Sequence, residues 1–351
     1  MQIGSIEIES PAVQAAVSGY SDWPMRVIAR RCGAPYTLCE VFVDHFVNSL
    51  KQRKRTGHFL KVTDEEHPVG GQLMGADPDE FGPAAIRLVE AGFDVIDINF
   101  GCPVKKALGR CRGGFHLGQP DVALQIVDRV RSAVPDPIPV PVNMRRALDD
   151  SAASRDRFFQ ILDGAFARGV AAITVHGRTV VQGYRGPSNW DALREVKHHA
   201  GERTIIGSGD LFSAEDCLRM IRTTGVDGVS LARGAIGNPW IFSQTQALLA
   251  GRPLPAPPSL LEQRDVMTEH YALAAETYGD EKAPAVMRKY GIQYAALHPR
   301  CVDVRNAFAR GRTPADWRSI LETWYAEDLP GQYPAGPATN NAANNEKAVA
   351  G

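Results

Sequence analysis

Short apolar runs alternate with longer segments of helical periodicity along the first 250 residues. The runs are β-branched or otherwise apolar in character, which is typical of strands buried on both faces of a parallel sheet. They cover residues 12–17, 36–41, 69–74, 95–99, 140–144, 172–176, 204–207 and 228–232. The pattern therefore predicts eight parallel strands separated by connecting segments.

Five of the connecting segments carry apolar residues at the spacing of an amphipathic helix, at 78–91, 121–133, 155–168, 190–200 and 213–223. The last has Ser213 as a predicted N-cap. Eight strand–helix units in about 250 residues predict an α/β fold, the (β/α)8 TIM barrel. The competing fold is a doubly wound open sheet, but no GxGxxG sequence follows the first strand.

The composition changes after the predicted barrel. Residues 251–259, GRPLPAPPS, read as a stiff Pro-rich linker. Only helical patterns follow, at 260–278, 282–297, 302–309 and 314–326. We therefore expect a barrel domain at 1–250, the linker at 251–259, a small all-α helical domain at 260–330 and a disordered tail at 331–351.

The net charge hides strong local clustering of basic residues. Lys and Arg number 39 against 40 Asp and Glu, which excludes a wholly basic binder of nucleic acid but allows a local basic surface. Residues 51–61 and 105–112 contain basic but no acidic residues, and residues 288–318 contain seven basic and two acidic ones. These clusters favour contact with a phosphate backbone, although a solvated helix face explains any one of them.

The cysteines and the hydropathy indicate the compartment. The six cysteines include no CxxC pair, and no 18-residue stretch is apolar and uncharged. The first ten residues lack the basic and apolar runs of a secretory signal. We expect a cytoplasmic protein with no membrane span. Without HExxH or paired Cys/His spacing, no metal site is expected.

Polar residues follow the predicted strands at the end where a TIM barrel has its active site. Cys102 directly follows a buried strand and could donate a proton or act as a nucleophile, or could be a small buried hydrophobe. His176 ends another strand and is either a hydrogen-bond donor or a core histidine. Gly209, Arg233 and Gly234 follow the last two strands, where barrels often bind phosphate, unless the glycines only turn the chain.

Four motifs, in order, resemble those of the tRNA-dihydrouridine synthase family. They are DINFGCPVKK (97–106), HGRTVVQGYRGPSNW (176–190), GSGDL (207–211) and RGAIGNPW (233–240). SGYSDWPMR (18–26) and QLMG (72–75) agree with them in order and spacing. The resemblance covers about residues 10–325, including the predicted helical domain.

The resemblance implies reduction of uridine in tRNA to 5,6-dihydrouridine by a monomer that carries FMN and is reduced by NADPH. Cys102 would donate a proton to C5 of a flipped-out uridine. The implied cofactor contacts are Ala16, Val17, Gln72, Asn143, His176, Ser208, Gly209, Arg233 and Gly234. The implied substrate contacts are Asn99, Lys105, Lys106, Arg178, Arg288 and Lys289.

Some implied flavin contacts differ from the residues usual in the family. Ala16-Val17 stands where Pro-Met is usual, Asn143 where Lys is usual, Ser208 where Asn is usual and Ala232 where Gly is usual. One alternative is therefore a flavin-poor relative that binds tRNA without reducing it. Another is a flavin oxidoreductase that acts on a small molecule, against which the basic clusters argue.

Overall fold

Eight parallel strands close into a barrel in the computed structural model of the protein, which describes residues 1–51 and 56–336. A hairpin of β1 (Gln2–Ile3) and β2 (Ile6–Glu7) precedes the barrel. The barrel strands are β3 (Ala12–Gln14), β4 (Thr37–Val43), β5 (Val69–Met74), β6 (Val95–Phe100), β7 (Val142–Arg145), β8 (Ile173–His176), β9 (Ile205–Ser208) and β10 (Gly228–Leu231). Because β10 pairs with β3 as well as β9, the predicted TIM barrel is confirmed and the open sheet is excluded.

Helices follow the strands and then form a separate group at the carboxyl end. The helices around the barrel are α1 (Trp23–Arg31), α2 (Asp44–Ser49), α3 (Pro78–Glu90), α4 (Lys105–Leu108), α5 (Pro120–Ala133), α6 (Ala152–Ala167), α7 (Trp190–Ala200), α8 (Ala214–Thr224) and α9 (Ile241–Leu249). The later group is α10 (Leu260–Tyr278), α11 (Ala283–Tyr294), α12 (Cys301–Arg310) and α13 (Pro314–Trp324). Within the described ranges, none of these helices is both long and apolar enough to cross a membrane.

The first strand and its helix differ most from the sequence prediction. β3 ends at Gln14 rather than at residue 17, because the chain turns there and the Val17 N–H donates to Ser21 Oγ at 2.8 Å. Helix α1 was not predicted, although its signals are present. Asp22 caps its amino end and Pro24 lies in its first turn.

The amino-terminal end of the barrel is filled by apolar side chains. Val13, Leu38 and Val95 of three strands pack in one cluster with Ile3 and Ile8 from the amino-terminal segment. All five side chains are buried. Free space is therefore left at the opposite end of the barrel, where the strands have their carboxyl ends.

The carboxyl-terminal helices contact the loop that follows β3. Tyr278 Oη donates to Asp22 Oδ2 at 2.8 Å, and Tyr290 Oη hydrogen-bonds Asp22 Oδ1 at 3.1 Å. Lys289 Nζ donates to the carbonyl oxygen of Gly19. These bonds tie α10 and α11 to the barrel, while the division into two domains at the linker stays a prediction.

The segment after the last helix is described only to residue 336. Gln332 N–H donates to the Leu297 carbonyl at 2.8 Å, so this part of the predicted tail contacts the helices. Residues 337–351 of the predicted disordered tail lie outside the described residues. So do Arg53, Lys54 and Arg55 of the first basic cluster.

A buried ion pair joins α1 to the segment before β5. Arg26 Nε lies 2.7 Å from Glu66 Oε1, and the two side chains are 2% and 0% exposed. Arg26 Nη2 also donates to the Lys61 carbonyl at 2.8 Å. Removing one partner of such a pair leaves an unpaired charge in a site without water.

We expect Glu66→Ala to lower the free energy of unfolding by about 3–5 kcal/mol, because the Arg26 charge loses its partner. The adjacent Glu65 provides a matched control, since its ion pair with Arg31 at 2.8 Å is exposed. Glu65→Ala should cost less than about 1 kcal/mol. Urea denaturation of both variants measures the difference, and equal losses would contradict this account of the pair.

Candidate functional site

A cavity of about 680 Å³ opens at the carboxyl ends of the barrel strands. This volume lies within the range of about 300–1,000 Å³ that is usual for ligand pockets. All eight strands, or the loops after them, contribute to its wall. Most of the predicted site residues lie in the wall: Ala16, Val17, Gln72, Asn99, Cys102, Lys106, Asn143, His176, Ser208, Gly209, Arg233 and Gly234.

Four predicted substrate contacts do not line the cavity. Lys105 is exposed on α4, and Arg288 and Lys289 lie on α11. Arg178 is only 3% exposed and lies behind the wall, where it pairs with Asp210. Contact of all four residues with RNA stays a prediction.

Two aromatic side chains of the wall that lie against Arg233 were missed by the sequence analysis. Arg233 lies 5.0 Å from the ring centroid of Tyr184 and 5.2 Å from that of Phe212. Arg145 lies 5.4 Å from the same Tyr184 ring. Tyr184 lies in the motif HGRTVVQGYRGPSNW (176–190), so an aromatic residue between glycines in that motif could have indicated a wall residue.

The loop after β6 holds the Cys102 thiol in the wall. Asn99 Oδ1 accepts hydrogen bonds from the backbone N–H groups of Gly101 and Cys102, both at 3.0 Å. Burial raises the pKa of the Cys102 thiol, and a hydrogen bond from the Val104 backbone and the nearby Arg145 guanidinium oppose this shift. At neutral pH the side chain is therefore a thiol that carries its proton.

His176 presents a neutral ring to the cavity. Its Nδ1 accepts the backbone N–H of Arg178 at 3.2 Å, so the ring proton belongs on Nε2. Burial, together with the positive charges of Arg145, Arg178 and Arg233, holds the pKa of His176 well below its usual range. The ring can therefore donate a hydrogen bond from Nε2 without carrying a charge.

Asp210 shapes the loop after β9. Its φ of 58° lies in the left-handed region, which is uncommon for residues other than glycine. Arg178 Nη2 donates to both carboxylate oxygens, at 2.7 and 2.8 Å, and the Ser188 N–H donates at 2.7 Å. These bonds fix the carboxylate 3.7 Å from Arg233 Nη2.

Internal packing explains the two predicted cradle glycines. A Cβ at Gly234 would lie 2.1 Å from the Leu211 carbonyl oxygen. Gly209 has a φ of 115°, and a Cβ there would lie 2.3 Å from Ser188 Oγ. Both positions therefore need glycine even without a ligand, which leaves the Arg233 guanidinium as the stronger indication of an anion.

A comparison with protein families identifies this arrangement. Residues 13–327 match the model of a family described as dihydrouridine synthase (Dus). The chain belongs to the dihydrouridine synthase family. The match begins within β3 and includes the other seven barrel strands and the helices α10 to α13.

Relatives in this family align with almost the whole chain. A probable tRNA-dihydrouridine synthase of Mycobacterium tuberculosis (strain H37Rv) is 33% identical over 329 residues, which are 92% of this chain and 84% of the relative. The tRNA-dihydrouridine synthase B of Xanthomonas campestris pv. campestris is 31% identical over 327 residues, which are 93% and 96%. The family resemblance drawn from the motifs is thus confirmed.

Solved structures share the fold at low sequence identity. A histamine dehydrogenase from Rhizobium sp. 4-9 aligns with a TM-score of 0.55 and 13% identity, over 78% of this chain and 50% of that one. A morphinone reductase aligns with a TM-score of 0.53 and 15% identity, over 73% and 90%. These likenesses support the barrel alone.

The wall of the cavity fits a flavin nucleotide in this dihydrouridine synthase. The Arg233 guanidinium and the neutral His176 ring both lie in the wall and offer hydrogen-bond donors to a ligand. Other parts of the wall are apolar, at side chains such as Val41 and Met74, and these suit contact with the faces of an aromatic ring system. Within residues 1–51 and 56–336, no group of three acidic, His or Cys side chains could hold a metal ion.

We expect alkylation of Cys102 by iodoacetamide to reach its half-maximal rate at a pH above about 8.5, the ordinary value for a thiol. Burial raises the pKa, so the reactive thiolate appears only at higher pH. Mass spectrometry of the Cys102 peptide across the pH range measures the profile, with urea-unfolded protein as control. Identical midpoints in folded and unfolded protein would contradict the shift.

Proposed function

We propose that this dihydrouridine synthase reduces uridine in tRNA to 5,6-dihydrouridine, with FMN as its flavin and NADPH as its reductant. The names of the two relatives support tRNA as the substrate. The observation that carries the proposal is the protonated Cys102 thiol in the wall of a flavin-sized cavity. A monomer in the cytoplasm, where tRNA is found, completes the proposal.

The cavity wall divides into regions suited to the parts of FMN. Arg233, with the backbone at Ser208–Gly209 and Gly234, would hold the phosphate. Ala16, Val17, Gln72, Asn143 and His176 would surround the ring, with His176 Nε2–H as a neutral donor to an acceptor on its edge. When bound and reduced, the flavin supplies a hydride to C6 of uridine.

Cys102 provides the proton that the reduction needs at C5 of uridine. Its raised pKa keeps the proton on Sγ until the base enters the cavity. The positive charge of Arg145 favours the thiolate that remains after transfer, because it lowers the thiol pKa against the effect of burial. Burial thus keeps Cys102 protonated before the reaction, and Arg145 stabilises its thiolate after the proton is transferred.

Asn99 has limited capacity for recognising the base. Its Oδ1 already accepts two backbone N–H groups, and one hydrogen of Nδ2 is donated to Gln72 Oε1 at 2.7 Å. One Nδ2 hydrogen is left for a carbonyl oxygen of uridine. Asn99 would therefore both hold the Cys102 loop and donate a single bond to the substrate.

Basic residues surround the mouth of the cavity on the side of Cys102. Lys106, Arg110 and Arg112 line the mouth, and Lys105 is exposed beside them. Arg288 and the exposed arginines of α12 and α13 add positive charge on the helical region. Lys289 contributes less, because its ammonium bonds the Gly19 carbonyl and lies 4.9 Å from the centroid of the Tyr20 ring.

We expect Cys102→Ala to lower the rate of uridine reduction by about 10²–10⁴-fold, the usual contribution of a positioned proton donor. Flavin affinity should not change. Cys111→Ala is the matched control, since Cys111 is exposed and outside the cavity wall. The assay measures dihydrouridine in unmodified tRNA after incubation with FMN, NADPH and each protein.

The same assay separates the alternatives. A flavin-poor relative would bind tRNA but form no dihydrouridine and take up no FMN. A small-molecule oxidoreductase would oxidise NADPH with an enone acceptor and show no affinity for tRNA. Full activity of Cys102→Ala would contradict the role of this thiol.

We expect Arg305→Gln to weaken tRNA binding and to reduce the slope of log K against log salt by about 1, because one phosphate contact is lost. Arg305 is exposed on α12. Arg157→Gln is the control, since Arg157 is exposed on α6 of the barrel. Binding measured at several salt concentrations gives both slopes, and equal slopes for the two variants would contradict contact between α12 and tRNA.

A further inference from the structure

An unbroken chain of hydrogen bonds runs from a buried carboxyl group to the Cys102 loop. Asp97 Oδ1 accepts from Gln72 Nε2 at 2.7 Å, and Gln72 Oε1 accepts from Asn99 Nδ2 at 2.7 Å. Asn99 Oδ1 then accepts the backbone N–H groups of Gly101 and Cys102 at 3.0 Å. The chain lies inside the barrel, and Asp97 and Gln72 are each 1% exposed.

The strand pairing explains why these side chains meet. Gln72 of β5 and Asp97 of β6 are direct partners in the parallel register. Asp97 and Asn99 are two residues apart on β6, so their side chains leave the same face of the strand. The Gln72 backbone is held as well, because its N–H donates to Cys39 Sγ at 3.4 Å, next to the irregularity in β4.

The backbone N–H groups at the loop decide which group donates and which accepts in every hydrogen bond of this chain. Backbone N–H groups can only donate, so the Asn99 oxygen must face them and its amide NH2 must face Gln72. Gln72 must then present its oxygen to Asn99 and its own NH2 to position 97. The hydrogen-bond chain is therefore complete only if the side chain at position 97 can accept a hydrogen bond from Gln72.

Asp97 satisfies this requirement in either protonation state. Burial raises its pKa to about 8, while the hydrogen bond from Gln72 opposes the shift. A protonated carboxyl group still has one carbonyl oxygen that accepts. What the chain needs from position 97 is thus an acceptor oxygen and not a negative charge.

We propose that Asp97 is a positioning residue, which acts through Gln72 and Asn99 to hold the Cys102 thiol in the wall of the cavity. That this positioning matters for catalysis rests on the proposed function. The geometric claim is independent of that function, because it concerns the loop of the protein without flavin or tRNA. Asp97 itself need not touch substrate or cofactor.

The test measures alkylation of individual cysteines by iodoacetamide in flavin-free, full-length protein. Asp97→Leu removes the acceptor and should raise the rate at Cys102 about fivefold or more, the equivalent of one lost hydrogen bond. Asp97→Asn keeps an acceptor oxygen and should stay within about twofold of the unchanged protein. Thr174→Val is the control for a polarity change, since Thr174 is also buried on a barrel strand but outside the chain.

Cys32 and Cys217 serve as internal standards because both lie far along the sequence from the loop and their thiol pKa values are raised by burial. A specific release of the loop accelerates Cys102 alone. Equal acceleration of all three cysteines would show a general loss of stability and would overturn the proposal. So would an unchanged Cys102 rate in Asp97→Leu, or the same acceleration in Thr174→Val.

Gln72→Met provides the test if Asp97→Leu does not fold. It removes the middle link with a side chain of similar length, and the selective acceleration of Cys102 should appear again. Loss of that selectivity would overturn the proposal. Because no uridine reduction is measured, a failure of the proposed function would show in the tRNA assay and leave this result unaffected.

Discussion

Closure of the eight strands is the constraint on which the rest of the structure depends. Pairing of β10 with β3 closes the barrel sheet, and the eight barrel strands run in the same direction. The apolar cluster around Val13 and Leu38 fills one end, so polar side chains are brought together at the other. Residues as distant in sequence as Ala16 and Arg233 thereby share one wall.

Charged side chains in and behind that wall influence the protonation states of its titratable residues. Arg145, Arg178 and Arg233 carry three positive charges around the cavity, and Asp210 pairs closely with only one of them. Burial and these three positive charges together hold the pKa of His176 well below its usual range, whereas at Cys102, of these charges, only that of Arg145 opposes the rise in pKa that burial causes. A net charge of −1 for the whole chain gives no indication of such a local field.

Local signals in the sequence predicted the strands, whereas long-range contacts decided the details of the site. Predominantly apolar runs located all eight barrel strands, because strands buried on both faces carry mainly apolar side chains. The motifs placed Cys102 and His176 in the wall. The burial of Arg178 behind Asp210 and the bond from Lys289 to the Gly19 carbonyl depend on residues distant in sequence, which no periodicity reveals.

The positions that differ from the usual family pattern lie in the wall and leave the cavity open. Ala16, Val17 and Ala232 present small apolar surfaces, and Asn143 presents a neutral amide. These four side chains are uncharged, so they would form no ionic contact with a flavin phosphate. Arg233 would provide that contact. If FMN binds as proposed, its affinity should depend on Arg233, on the neutral donor of His176 and on Gln72. Gln72 is oriented by Asp97, so the carboxyl group that we propose to position Cys102 also fixes a second side chain of the cavity wall.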